Sequence, residues 1–315
     1  MVEKVKAALL AMQRYSWEQG VCALAFMESG DEEAVIQMCY DAVNRQTPDG
    51  RLANLGAQHG VTDPVAIIPA LIRAVEITGD IVLQNALDKA WEWALKNAPR
   101  NDKGIVYHMD NERRFWVDSL YMFPPVLLCG GYVEEAIKQA DGYIEALWDN
   151  DKKLFHHIWN DETKVFDTPE FWGVGNGWAI AGLGRMIEGL AGELPIEQTN
   201  NYKNARERYI SIVNKTIEAA LQYRDNDLFH NFLDQSESFL EVNFAQMLCY
   251  TIAKGVKQRW LPDNLLAEAR QIRHTIHKHV SPYGIVSPVC GAPYFNKPGI
   301  APEGQAFFIL MESVF

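Results

Sequence analysis

The sequence predicts an all-α protein, an (α/α)6 barrel of six helical hairpins built as one domain over residues 1–315. Three observations predict it. Helical stretches follow one another with almost no strand-like alternation. Six of them are nearly continuous apolar runs, and amphipathic stretches with one polar face lie between those runs. A helix apolar on all sides belongs inside a protein, and one with a polar face belongs at its surface. Alternation of the two kinds gives an inner ring wrapped by an outer one.

The inner candidates are Trp17 to Met27, Asp63 to Ile77, Val117 to Leu128, Gly177 to Ile187, Val242 to Ile252 and Gln305 to Met311. The outer candidates cover 31–46, 80–97, 133–148, 201–223 and 262–279, and the opening helix, 2–13, completes the set. Asp31 and Asp80 each follow a glycine, and Asp63-Pro64 reads as an N-cap with Pro at the first helical position. Inner helices pass to outer partners through short links such as Gly79-Asp80 or Gly130-Gly131-Tyr132; the return links are long and often aromatic.

The long links resemble one another. Asp49-Gly50-Arg51-Leu52, Gly104-Ile105-Val106-Tyr107-His108, Leu154-Phe155-His156-His157, Leu228-Phe229-His230-Asn231 and Gly284-Ile285-Val286-Ser287 occupy equivalent places, a weak internal repeat. A barrel brings these links out at one end, where the inner helices begin. Long loops in compact domains usually serve function. The loop-rich mouth is therefore the expected site.

Composition bounds the function. No Ser/Gly/Pro-rich linker or long like-charge run divides the chain, and 48% hydrophobic residues supply a large core. The first residues lack the basic segment and apolar run of a signal peptide, and no apolar stretch is long enough to span a membrane. Cys22, Cys39, Cys129, Cys249 and Cys290 are odd in number and widely spaced, so buried free thiols in a reducing compartment are expected. Together these features predict a cytoplasmic protein. A formal net charge of −12 argues against nucleic acid, whose phosphates require a basic footprint. The nine Trp mostly serve packing, although sugar clefts also use aromatic faces as platforms.

Polar groups gather where the inner helices start: Glu18, Asp63, Asp118, Asn176, Glu241 and Glu303. Each is explained singly by helix capping, since acids favour the first turn. Collectively they converge on one cavity, and paired carboxyls are the usual equipment of glycoside chemistry. Asp118 stands out within Arg114-Phe115-Trp116-Val117-Asp118-Ser119-Leu120-Tyr121-Met122. Its large apolar neighbours desolvate it and raise its pKa, the helix N-terminus opposes that, and a carboxyl such as Asp63 nearby couples to it.

On these residues the chain resembles the unsaturated uronyl hydrolases, glycoside hydrolase families 88 and 105, with the rhamnogalacturonyl branch of family 105 the closer. The resemblance covers nearly the whole chain. It runs in order through Trp17-Glu18-Gln19-Gly20, Asp63-Pro64-Val65-Ala66, Glu76-Ile77-Thr78-Gly79-Asp80 and Trp116-Val117-Asp118-Ser119-Leu120-Tyr121-Met122. It continues through His157-Ile158-Trp159-Asn160-Asp161-Glu162, Phe171-Trp172-Gly173, Gly175-Asn176-Gly177-Trp178 and Pro302-Glu303-Gly304-Gln305-Ala306-Phe307. The resemblance implies hydration of the C4–C5 double bond of a Δ4,5-unsaturated uronic acid at the non-reducing end of a lyase-generated oligosaccharide, as in pectin degradation. It implies Asp118 as general acid/base. Asp63 is the partner that orients substrate and holds Asp118 protonated. His157 and Trp178 lie beside the sugar. Trp172, Trp116, Asn176, Glu18, Arg114 and Tyr121 are the remaining substrate-binding candidates. No metal or organic cofactor is implied. One departure stands out. Many family 105 members carry an Arg where this chain has Val174, so Arg114, Arg51 or His108 takes over, or the substrate differs. A conventional glycosidase or sugar epimerase on the same barrel, and a non-catalytic sugar-binding barrel, are the alternatives.

Other features have plainer explanations. The adjacent side chains of His156 and His157 diverge and do not chelate one ion. His274 and His277 lie on a basic outer face with Arg270, Arg273 and Lys278. Gly173, Gly175 and Gly177 lack the preceding strand and following Lys of a phosphate loop. Trp91 and Trp93 are packing residues of an outer helix.

Overall fold

The computed structural model describes residues 1–52, 58–192 and 199–315. Its helices begin with α1 (Val2–Met12), α2 (Ser16–Glu28), α3 (Glu32–Asn44), α4 (Ile68–Thr78), α5 (Ile81–Glu92), α6 (Ser119–Met122) and α7 (Pro124–Cys129). They continue with α8 (Val133–Leu147), α9 (Gly173–Gly189), α10 (Thr199–Leu221), α11 (Asn243–Lys257), α12 (Leu265–His277) and α13 (Pro302–Val314). The architecture is an (α/α)6 barrel. Its inner ring runs α2, α4, α6 with α7, α9, α11 and α13, and α13 packs on α2 to close it. Outer partners α3, α5, α8, α10 and α12 pack on the inner helices that precede them, and α1 packs on α13. The two ends of the chain thus share the sixth hairpin.

Side-chain chemistry accounts for the two rings. Every residue of α2 from Glu18 to Phe26 is buried, as is every residue of α11 from Asn243 to Ala253. Outer helices bury one stripe only, such as Val35, Met38, Cys39 and Ala42 of α3. Two inner elements depart from the expected single helices. Asp63–Val65 is a separate 3-10 turn before α4. The third element breaks at Phe123, because Pro124 crowds the helical conformation of the residue before it.

The repeated long links share a physical plan. Each opens with a small hairpin, closed by Thr47 N–H to Arg51 O at 3.0 Å or by the bridges Arg100 with Val106, Trp148 with Phe155, and Val280 with Val286. In the fourth link the same job falls to β4 (Arg224–Asp225) and β5 (Leu228–His230), extended by β6 (Leu240–Glu241). Each turns over at a left-handed residue: Gly50, Gly104, Lys153, Asp227 and Gly284. Each then drives one fully buried side chain inward: Leu52, Val106, Phe155, Phe229 and Val286. A second sheet, β1 (Arg114–Trp116), β2 (Ile158–Asn160) and β3 (Val165–Thr168), pairs antiparallel and joins the second link to the third. Strands this short leave no alternation to read in sequence.

Away from the mouth, Glu28 accepts hydrogen bonds from Arg185 at 2.5 Å and from Tyr250 at 2.9 Å, tying α2, α9 and α11 together. Burial pushes the Glu28 carboxyl up, but Arg185 and Lys254 outweigh it and the net shift is downward. Of the five thiols, Cys22, Cys39, Cys249 and Cys290 are buried, whereas Cys129 at the end of α7 is exposed. That corrects the expectation of five buried thiols; α7 ends there in the Gly130-Gly131 turn. Among the described residues, no helix is long and apolar enough to cross a membrane.

The approach of α9 to α6 positions the mouth, and Gly182 permits it. A methyl group there would overlap the carbonyl oxygen of Leu120 and approach Tyr121 Cα to 2.8 Å. Overpacking of this kind costs about 1–3 kcal/mol. Urea unfolding of Gly182→Ala should show a lower midpoint at unchanged slope; an unchanged midpoint would mean that the two helices slide apart freely.

Candidate active site

The inner helices begin around one cavity of about 290 Å³. Asp63, Asp118 and Glu303 supply its carboxyl groups; Trp17, Trp116, Trp172 and Trp178 supply most of its walls. Among the described residues, no Lys or Arg lines it.

Asp118 is placed by its flanks. It follows β1, whose register with β2 sets Phe115 opposite Trp159, and the next backbone N–H, of Val117, donates to His157 O at 3.0 Å. Its own carbonyl accepts from Tyr121 and Met122, so Asp118 begins α6. Oδ2 is buried and has no hydrogen-bond partner among the described residues. Burial pushes the carboxyl up to about 7, against a smaller downward pull from its own backbone N–H. Asp63 is pushed well above the usual carboxylate range, first by burial and then by the charges of Asp118 and Glu303.

Two histidines flank these acids without pairing as cations. His108 Nε2 lies 3.8 Å from Asp63, and His157 Nε2 lies 3.9 Å from Asp118. Burial lowers His108 to about 3 and His157 to about 4, so both are neutral near pH 7. The hydroxyls of Thr62 and Ser119 flank His108 Nδ1 at 2.8 and 3.1 Å. Its ring stacks on Trp116, centroids 4.5 Å apart. His157 sits just behind the cavity wall, between Trp116 and Trp172.

Other expected residues serve elsewhere. Asn176 is fully buried; its amide binds Phe155 N, Phe155 O and Trp172 O, which anchors a loop hairpin and leaves nothing for substrate. Glu18 caps α2, accepting from Arg14 N at 2.6 Å and Tyr15 N at 2.9 Å. Glu241 caps α11 through Phe244 N. Arg114 pairs with Glu112 and Asp167 outside the cavity. Tyr121 lies beneath the wall, packed on Trp178 and Phe307. Of the three candidates to replace the missing Arg, only His108 lines the cavity; Arg51 is engaged by Asp49 and Asp110.

Residues the sequence did not single out complete the wall: Tyr15, Met109, Met122, Cys290, Ala292 and Phe295. Tyr15 stacks on Trp17 with centroids 4.5 Å apart. Trp17 Nε1 donates to Glu303 Oε1 at 2.5 Å. Trp17 and Glu303 stood within recognisable motifs; the 290–295 segment carried no signal, since its ring enters the site from a loop.

A larger open groove, about 910 Å³, lies between α8 and the β1–β3 sheet. Its Lys103 and Lys164 are paired with Glu145 and Asp161, and Asp161 is held below the usual range. The raised carboxyl groups Asp63, Asp118 and Glu303 line the smaller cavity, so acid chemistry belongs there. Among the described residues, no group of three or more His, Cys, Asp and Glu is placed to hold a metal ion.

Comparison with known proteins agrees with the barrel fold. The family profile described as Glycosyl Hydrolase Family 88 matches residues 2–308. The unsaturated rhamnogalacturonyl hydrolase YesR of Bacillus subtilis is 26% identical over 246 residues, covering 73% of this chain and 67% of that protein. A structure from Salmonella enterica, described as a possible member of family GH105, superimposes with TM-score 0.85 at 22% identity, over 99% of this chain and 91% of that one. The unsaturated glucuronyl hydrolase of Bacillus sp. GL1 superimposes with TM-score 0.67 at 12% identity, over 95% and 84%. The chain belongs to glycosyl hydrolase family 88.

Proposed function

We propose that this protein hydrates the C4–C5 double bond of a Δ4,5-unsaturated uronic acid at the non-reducing end of a short oligosaccharide. The observation that carries this reading is Asp118, a carboxyl group kept protonated near pH 7 by burial, facing a cavity walled by tryptophans. A general acid works best with a pKa near the working pH. Asp118 donates its proton to C4, and the positive charge that develops at C5 is shared with the ring oxygen. Water then adds at C5 and returns a proton to the Asp118 carboxylate. The hemiketal formed at C5 opens, the C1–O bond to the adjoining sugar breaks, and that sugar leaves.

Asp63 is the partner of Asp118 in this reading. Burial raises both carboxyl groups, and a charge on Asp118 further opposes ionisation of Asp63, so the two titrate as neighbours. Asp63 stands as a neutral donor toward the sugar hydroxyls. Trp116, Trp172 and Trp178 form apolar platforms for the sugar, and His157 packs behind Asp118. The kinship with a rhamnogalacturonyl hydrolase supports pectin-derived substrates. Four buried thiols support a reducing, cytoplasmic setting, and the shared sixth hairpin supports a single catalytic domain.

Loss of the ultraviolet absorbance of an unsaturated rhamnogalacturonan disaccharide measures turnover. Asp118→Asn should lower kcat by about 10²–10⁴-fold, the usual contribution of a general acid; full activity in that variant would remove Asp118 from its role. The reaction needs Asp118 protonated, so kcat/KM should decline as pH rises through about 7. A rate that climbs through that range would contradict the assignment.

The same carboxyl affects stability. Its folded pKa lies above the unfolded value, so its contribution is full below about pH 4 and is lost as pH rises through about 7. Asp118→Asn removes that loss. Urea unfolding should find the variant more stable than the parent by about 2–4 kcal/mol at pH 8, and level with it near pH 4. Equal stabilities at pH 8 would show that Asp118 ionises there without cost.

A further inference from the structure

We propose that Glu303 determines specificity by meeting the carboxylate of the unsaturated uronate as a neutral carboxylic acid, an inference that rests on the reaction proposed above. The substrate's carboxyl carbon is bonded to C5, next to the carbon that Asp118 protonates. It therefore occupies the same part of the cavity as Asp118. A cation would be the ordinary partner for it. Among the described residues, the cavity offers none, and Val174 contributes only apolar surface.

Glu303 fills that gap through its geometry. It lines the cavity from the first turn of α13 and is only 5% exposed. The Trp17 indole donates to Oε1 at 2.5 Å, so Oε1 acts as the acceptor and the acid proton belongs on Oε2. Oε2 is buried and has no partner among the described residues. A buried hydroxyl without an acceptor is costly, and a ligand carboxylate would satisfy it with a charge-assisted hydrogen bond. Glu303 reaches this state because the charged and titratable groups facing it oppose ionisation. Glu18 stands on α2 and Asp118 at the start of α6; Asp63 feels the Glu303 charge from the 3-10 turn, and the Cys290 thiol feels it from its loop. Arg14 acts on Glu18 instead. Burial, with Glu18 next, pushes Glu303 up to about 8. The Trp17 hydrogen bond, which opposes that, fixes the orientation. Asp63 is less suited, since its Oδ1 faces the neutral His108 ring at 3.8 Å.

The test follows the Trp17 indole resonance in ¹⁵N-labelled protein, identified by its loss in Trp17→Phe. Without sugar, the wild-type resonance should titrate with a midpoint near 8, and Glu303→Gln should abolish that step. Sodium glucuronate and, separately, glucose are then titrated into both proteins. The ratio of wild-type to Glu303→Gln Kd for glucuronate should rise about tenfold from pH 7 to pH 9, because a group with a midpoint near 8 is about one-tenth protonated at pH 9. Comparing the two proteins cancels the effect of Asp118, which ionises in both. For glucose the ratio should stay constant. A Trp17 midpoint in the ordinary carboxylate range, or a glucuronate ratio that does not change with pH, overturns the proposal. Neither readout needs turnover. Wild type that leaves every unsaturated substrate intact would therefore sink the hydration reading while the role of Glu303 is still decided.

Discussion

Asp63, Asp118 and Glu303 share one small cavity whose described wall carries no Lys or Arg, and the rest of the barrel serves that constraint. Water would ionise Asp63, Asp118 and Glu303; exclusion of water opposes that first, and the charges of neighbouring carboxyl groups add to it at Asp63 and Glu303. The exclusion depends on the apolar packing of the inner helices, on the tryptophans of the wall, and on Phe295 reaching in from a loop. A carboxyl group alone is ordinary. A carboxyl group held neutral near pH 7 is a reagent.

Elsewhere in the ring the opposite arrangement holds. Glu28 meets Arg185, Tyr250 and Lys254, and its carboxyl is held below the usual range. Both regions bury acids among helices of one ring. At Glu28 the cations outweigh burial; at the mouth burial prevails. A buried ion pair adds little net stability over apolar packing but is costly to break, so the Glu28 network fixes the arrangement of α2, α9 and α11. The mouth accepts instability instead, as working sites often do.

The fold was legible because its signal is repeated. Six apolar runs in alternation with amphipathic ones survive errors at individual boundaries, and the break at Phe123 moved no element out of its ring. Asp118 and Asp63 were legible because motif order placed them at inner-helix starts, and the tryptophans because their motifs adjoin those starts. The sequence could not show which way a polar side chain at a helix start would turn. Asn176 and Glu18 sit at such starts, as Asp63 and Glu303 do, yet the Asn176 amide and Glu18 Oε2 bind backbone.

The loop hairpins explain that division. Each drives a buried side chain inward and in doing so carries a backbone N–H out of reach of water. Where such a group lies beside a helix, a polar side chain must satisfy it: Asn176 for Phe155, Gln305 for Val286, and Gln139 of the outer ring for Val106. A buried amide left unpaired costs about as much as a lost hydrogen bond, so these positions are not free to serve a ligand. Glu303 lies two residues before Gln305 on the same helix, roughly 200° around its axis. One turn of α13 thus presents Gln305 to a loop and Glu303 to the cavity. Chemistry falls to the polar residues that the hairpins leave unclaimed, and Glu303 Oε2 and Asp118 Oδ2 are two such atoms, both buried and both without a partner among the described residues.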